Sequence, residues 1–298
     1  MKPCVIALGF FDGVHLGHAA LLRQTRRRAE ALGAEAAALT FDRAPGKRVP
    51  LLTTLEDRKD LLRRAGGMDR ILVPVFDEAF RTLDCETFVR DLLVRDQGAV
   101  GLVCGWDYRF GKNAGGDAAL LGDLCRRYGL TLDVVPETCL EGITVSSSAI
   151  RQMLQAGDLD RANRFLGHPW QFTGVVVHGK RLGRRLGFPT ANLALPAGLC
   201  LPPKGVYAVR AQVGEAVYAG VCNLGTRPTV DGGPENAETW LFDYDGDLYG
   251  QTLRLEFHAF LRPEQRFESL EALREQILRD RREAEAWFST KKARPGAG

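Results

Sequence analysis

Short, unbroken apolar runs alternate with amphipathic stretches along the first half of the chain. Runs at 5–8, 34–41, 70–75, 100–104 and 130–135 read as strands, and segments at 16–32, 55–65, 78–82, 86–95, 120–128 and 149–155 read as helices. Strands without polar alternation are buried on both faces, so the pattern predicts an α/β, doubly wound parallel sheet. From residue 171 the pattern changes. Short β-rich runs at 172–177, 206–213, 217–222, 239–242 and 253–260 are separated by Gly, Pro, Asn and Asp, which predicts an antiparallel sheet or small barrel. A last amphipathic segment, 270–288, aligns Leu270, Leu273, Ile277 and Leu278 on one stripe and is expected to close the barrel. The change of period divides the chain into domains at 1–156 and 171–298 with a connector at 157–170.

Composition narrows the class. A chain of 298 residues with 45% hydrophobic and 26% charged side chains has room for two soluble domains. A net charge of +3 gives no reason to expect a nucleic-acid partner, and the basic runs Arg26–Arg28 and Arg281–Arg282 read as solvated helix faces. Seven cysteines, odd in number and without a CxxC pair, read as reduced thiols of a cytoplasmic protein. Neither a leader pattern nor a membrane-length apolar run is seen.

The first strand leads into Gly9-Phe-Phe-Asp12-Gly13-Val-His15-Leu-Gly17-His18. A strand, a glycine-bearing turn and a helix start form an anion site, and two histidines three apart face the same phosphate. In attack on an α-phosphate, charge builds on the non-bridging oxygens and on departing pyrophosphate. Imidazole donors and a helix N-terminus stabilise that charge without a nucleophile. Gly17 leaves the backbone open to a phosphate. A zinc pair is the competing reading, but the remaining histidines (168, 178, 258) lie far away in sequence.

Two further stretches fall at strand ends, where doubly wound sheets bind ligands. Gly105-Trp-Asp107-Tyr108-Arg109-Phe110-Gly111 lacks the spacing of a P-loop and reads as an aromatic wall for a flat ring. Ser146-Ser147-Ser148 opens a helix with Arg151 on its first turn, which reads either as a plain serine cap or as a phosphate site. In the second half, Gly179-Lys180-Arg-Leu-Gly183-Arg-Arg-Leu-Gly187-Phe-Pro189-Thr190-Ala-Asn192 offers glycines and basic side chains to phosphates. Its hydroxyl and amide carbonyl two apart can reach one hard cation. Glu238 shares a strand face with Trp240 and Phe242, so a raised pKa and a role as proton acceptor are expected of it.

GFFDGVHLGH, CGWDYRFG and VSSSAIR, in that order, resemble the FMN adenylyltransferase module of bacterial bifunctional riboflavin kinase/FAD synthetases. GRRLGFPTANL, KGVYAV, NLGTRPT and ETWLFDYDGDLYG are similar to the riboflavin kinase module. The chain departs from the family's Pro-His-Pro after the second strand, where it has Thr40-Phe-Asp-Arg43-Ala-Pro45, and from its basic residue at Thr144. The resemblance implies a Rossmann-like nucleotidyltransferase domain followed by a six-stranded antiparallel barrel with a closing helix. It implies riboflavin, FMN and ATP as substrates, with magnesium accompanying ATP. His15, His18 and Arg151 would then act in adenylylation, with Gly9, Phe11, Gly17, Ser147 and Ser148 around the phosphates. Asp107, Tyr108, Arg109 and Phe110, and in the second half Asn223 and Arg227, would meet flavin. Thr190 and Asn192 would hold magnesium–ATP beside Gly179, Lys180, Gly183, Gly187 and Pro189, and Glu238 would be the kinase base. Two other readings stay open: a riboflavin kinase with a weak or inactive first domain, and a flavin- or RNA-binding regulator without turnover.

Overall fold

Strand β1 (Cys4–Leu8) is buried along its whole length, and its side chains alternate between two cores. Cys4, Ile6 and Leu8 enter one cluster with Leu102, Cys104 and Leu121, while Val5 and Ala7 enter another with Leu21, Leu22, Ala29 and Val103. Burial on both faces explains why this strand reads as a continuous apolar run. The computed structural model describes residues 2–44, 49–178, 187–226 and 235–292, and the chain divides into two units, 1–149 and 150–298.

In the first unit, β1 is followed by α1 (Leu16–Leu32), β2 (Glu35–Leu39), α2 (Leu55–Arg64), β3 (Arg70–Leu72), α3 (Glu78–Arg81) and α4 (Cys85–Thr87). β4 (Ala99–Gly105), α5 (Ala118–Tyr128) and β5 (Thr131–Val135) complete a parallel sheet in the order β3-β2-β1-β4-β5. A small hairpin, β6 (Cys139–Leu140) and β7 (Ile143–Thr144), precedes α6 (Ser147–Gln155). The α/β expectation holds, with two local differences. Residues Phe88–Asp96, expected as an ordinary helix, wind as a π-helix that carries Phe88, Val89 and Leu93 into the core. The basic run on α1 is not simply solvated. Arg28 forms a two-pronged pair with Asp133 at 2.6 and 2.7 Å, and Arg26 forms one with Asp69 at 3.0 Å. These pairs tie α1 to the ends of the sheet.

The second unit is built on a closed barrel in the order β10-β11-β12-β9-β8-β13. Its elements are α7 (Leu159–Leu166), β8 (Trp170–Val177), β9 (Thr190–Ala194), β10 (Gly205–Val213), β11 (Ala216–Thr226), β12 (Glu235–Leu241), β13 (Thr252–Arg262) and α8 (Leu270–Lys292). The ends of the sheet are joined through β10–β13 and, over a short stretch, through β8–β9. The stretch read as a connector holds α7, whose Asn163 amide donates to Phe257 O at 2.9 Å and accepts from Trp170 N at 2.7 Å. That one side chain joins α7 to both β8 and β13.

α8 packs on the barrel through Ile277, Leu278, Ala284, Trp287 and Phe288. The expected stripe began too early, because Leu270 is exposed. Arg281, read as solvated, lies over the rings of Trp240 and Phe242 at 5.5 and 5.0 Å and pairs with Asp243 and Glu285. Buried Asp280 receives both prongs of Arg262 at 2.8 and 2.7 Å, and the Gln276 amide at 2.8 Å. Truncating one partner of such a pair strands the other charge. Asp280→Ala is therefore expected to destabilise the second unit by about 3–5 kcal/mol, read as a lower urea midpoint followed by tryptophan fluorescence; an unchanged midpoint would contradict this role.

Candidate functional site

After β1 the chain reverses through a tight turn with Phe11 (φ 58°), Gly13 (φ 82°) and Val14 (φ 41°) in left-handed conformations. For Phe11, and above all for β-branched Val14, that backbone is strained by about 1–3 kcal/mol. Asp12 holds it in place. Its buried carboxylate accepts from Leu52 N at 2.9 Å, Thr53 N at 3.1 Å and Thr53 Oγ1 at 3.2 Å, while Gly13 N donates to Thr53 Oγ1 at 3.2 Å. Thr40 Oγ1 donates to Phe10 O at 2.7 Å, and Ser147 Oγ donates to Asp12 O at 2.9 Å. The turn is thus pinned to the loop before α2, the end of β2 and the start of α6.

The pinned turn delivers the histidines. His15 is the N-cap of α1, its Nδ1 accepting from His18 N at 3.3 Å, which leaves Nε2 to carry the ring proton. The two imidazoles stack at 3.6 Å with 15° between planes, and the Phe11 edge abuts His18 at 5.1 Å. The glycines sit where a side chain would crowd these rings. A Cβ on Gly9 would lie 3.0 Å from the Phe11 ring, and one on Gly17 would lie 3.3 Å from the His15 ring. Behind them sits the fully buried Arg58, over the Phe10 ring at 4.3 Å and donating to Phe41 O at 2.5 Å. Burial brings its pKa down to about 10 against the attraction of Asp12 and Asp42, so it stays charged at neutral pH. Burial, then the His15 ring and the Arg58 charge, push His18 well below the usual imidazole value.

A cavity of about 740 Å³ opens over these groups at the C-terminal ends of the strands. It brings together Gly9, Phe11, His15, Gly17, His18, Asp107, Tyr108, Arg109, Phe110, Ser147 and Ser148 from the sequence reading. Ser146 caps α6, its Oγ accepting from Ala149 N at 3.2 Å, which leaves Ser148 exposed on the cavity wall. Arg151 is a correction: α6 begins at Ser147, so Arg151 falls on the second turn, and it does not line the cavity. The aromatic wall is larger than the single loop predicted. Tyr108 stacks on Phe110 at 5.8 Å and 10°, and the contacts continue through Phe88, Phe80, Phe76 and Phe41, with neighbouring centroids 5.1–6.1 Å apart. These rings come from separate segments, so no local motif marked them. Burial pushes the Tyr108 phenol well up, keeping it neutral.

On the barrel, strand register assembles a second site. Glu238 pairs with Asn192 on one side and Asn223 on the other, so the three share one cross-strand row on one face. Thr190 and Trp240 form the next row on that face. Glu238 is exposed, which corrects the expectation of a desolvated carboxylate; Trp240 and Phe242 beside it are buried. Buried Asn236 escaped the sequence reading: its Nδ2 lies 3.4 Å from Asn192 Oδ1 and 3.5 Å from Glu238 Oε1. Two cavities meet at Thr190. One of about 400 Å³ is lined by Pro189, Asn192, Asp245, Asp247 and Tyr249, and one of about 280 Å³ by Asn223, Glu238, Trp240, Arg262 and Phe267. Gly187 lies outside both, and Gly179, Lys180, Gly183, Arg227 and Pro45 lie outside the described residues. Thr190 and Asn192 present a hydroxyl and an amide carbonyl from one strand face, a hard-oxygen pair that fits magnesium completed by phosphate and water.

Residues 1–149 match the family model for FAD synthetase, and residues 166–288 match that for riboflavin kinase. The chain is 37% identical to the bifunctional riboflavin kinase/FMN adenylyltransferase of Haemophilus influenzae, with 97% of this chain and 96% of that protein covered. It is 37% identical to the protein of the same name from Bacillus subtilis, covering 96% and 92% of the two chains. A solved structure titled as a macrolide-efflux protein from Streptococcus pneumoniae superposes with a TM-score of 0.83 at 28% identity, over 96% of this chain and 95% of that one. Among the described residues here, no helix is long and apolar enough to cross a membrane.

The depressed His18 pKa sets a sign for pH dependence. Below about pH 6.5 the unfolded chain binds a proton that the folded imidazole resists, so stability is lost as pH falls toward the folded value. The depressed carboxylates Asp69, Asp84, Glu86, Asp91 and Asp133 lose their contribution mainly below about pH 5. Thermal unfolding of the first unit is expected to shift downward between pH 7 and 5, and His18→Gln should flatten that slope. An identical slope in the variant would exclude His18 as its source.

Proposed function

The chain belongs to the bifunctional riboflavin kinase/FMN adenylyltransferase family, and we propose that its two reactions are divided between domains 1–156 and 171–298. The protein phosphorylates riboflavin with ATP to FMN and joins FMN to AMP from a second ATP, giving FAD and pyrophosphate. A regulator without turnover and a kinase with an idle first domain are both set aside by the two family matches and the bifunctional relatives.

One observation carries the adenylylation assignment: two stacked imidazoles at a helix N-terminus, facing a cavity with an aromatic wall. The FMN phosphate is already an anion, so its attack on the α-phosphate needs no base. His15 donates from Nε2 and His18 stands beside it, both serving the oxygens that gain charge, while the Ser148 hydroxyl and the free amides at the start of α6 hold the leaving pyrophosphate. The rings of Phe41, Phe76, Phe80, Phe88 and Phe110 take the isoalloxazine.

In the barrel, the cavity beside Pro189 and Tyr249 takes the nucleotide, and that beside Trp240 and Phe267 takes riboflavin. Thr190, common to both, marks where the γ-phosphate meets the 5′-hydroxyl. Magnesium held by Thr190 and Asn192 would neutralise phosphate charge during transfer. Glu238, exposed on the wall of the cavity beside Trp240, takes the hydroxyl proton. Asn236 holds Glu238 and Asn192 at a fixed separation. All seven cysteines are unpaired, which suits a reducing compartment such as the cytoplasm.

Chromatographic separation of riboflavin, FMN and FAD tests the division. With riboflavin and ATP, His15→Ala should accumulate FMN with FAD formation down at least a hundredfold. Glu238→Gln should stop FMN formation yet convert supplied FMN to FAD at the parent rate. Loss of both activities in both folded variants would overturn the assignment of one reaction to each domain.

A further inference from the structure

Trp106 is the residue next beyond β4, and its backbone N–H donates to Val135 O at 3.0 Å, which ties it to the end of β5. It lines the large cavity of the first unit and is 55% exposed. Of the aromatic side chains on its loop, Phe110 is buried and Tyr108 stacks on Phe110, while Trp106 takes part in no ring contact among the described residues. A large indole left open on a cavity wall is a platform for a flat ligand.

Adenylylation must seat two flat rings with phosphates between them. The cavity is laid out in that order. At the β2–β3 side stand the packed rings of Phe41, Phe76 and Phe80, continuous with Phe88 and Phe110. In the middle are His15, His18 and the α6 serines. At the β4–β5 side lie Trp106, Val135, Pro136, Glu137 and Thr138, with Trp106 the aromatic residue of that end. The extended aromatic wall suits the three-ring flavin. The remaining ring is adenine, at the opposite end beyond the phosphates.

Resting on the adenylylation reading above, we propose that Trp106 stacks on the adenine of the ATP consumed in FAD formation and sets the affinity for that nucleotide. Stacking accepts either face of any purine. The indole therefore supplies affinity and not choice among bases.

The full chain tests this by separate titration of ATP and FMN in FMN-to-FAD conversion. In Trp106→Ala the KM for ATP should rise about tenfold, with KM for FMN and riboflavin phosphorylation unchanged; Trp106→Phe, which keeps a stacking ring, should stay within about twofold of the parent. Added ATP should quench tryptophan emission in the parent more than in Trp106→Phe, the difference removing any contribution from Trp170, Trp240 and Trp287. An unaltered ATP KM and equal quenching, with FAD still formed, would overturn the Trp106 assignment and leave the two-reaction reading intact. A raised KM for FMN in place of ATP would put flavin on the indole and overturn it too. Failure of the parent to make FAD at all would overturn the reading on which the proposal rests.

Discussion

The buried Asp12 carboxylate is the contact on which the first site depends. A turn that places Phe11 and Val14 in left-handed backbone would relax if nothing opposed it. Asp12 opposes it by accepting from two backbone amides and a hydroxyl of Leu52 and Thr53, and its own carbonyl accepts from Ser147. Hydrogen bonds to a buried charged acceptor contribute about 1.5–3 kcal/mol each in such settings, enough to outweigh the strain. The same contacts bring the starts of α1 and α6 to one place. Two helix N-termini, a stacked imidazole pair and exposed Ser148 therefore converge on one cavity.

The barrel reaches its site by a different route. There the organising element is register, not a strained turn. Antiparallel pairing sets Asn223, Glu238 and Asn192 side by side on adjacent strands, with Thr190 one row away. A shift of one residue in β12 would turn Glu238 to the barrel interior, where Ala237 and Thr239 now lie buried. The buried pair of Arg262 and Asp280 fixes α8 against the end of β13, beside the cavity that Glu238 also lines. The packing of α8 and the shape of that cavity are thus coupled through the same few side chains.

Both sites keep charge where it is used. Arg58 is held without exposure beneath the histidine pair, and its charge helps to keep His18 neutral as a hydrogen-bonding imidazole. Glu238 lies exposed on the wall of its cavity, open to a hydroxyl substrate. Phosphoryl and nucleotidyl transfer need placement and charge stabilisation more than covalent participation, and these arrangements supply both.

By itself, the sequence determined whatever depends on neighbours in the chain. Period and apolar runs specified the parallel sheet and the β-rich second half, and the spacing of His15, Gly17 and His18 specified two imidazoles on one helix start. Local pattern could not reveal what depends on distant partners. Asp12 reads as a turn residue until Leu52 and Thr53 close on it, and nothing local marks Phe76, Phe80 and Phe88 as cavity lining until the fold brings them together with Phe41. Arg28 and Arg281 read as solvated until Asp133 and the rings of Trp240 and Phe242 meet them. Glu238 reads as buried by its neighbours along the strand, but the cavity beside it leaves it exposed. Tertiary structure decided these points because desolvation and hydrogen-bond geometry are properties of the surroundings, which adjacent residues do not contain.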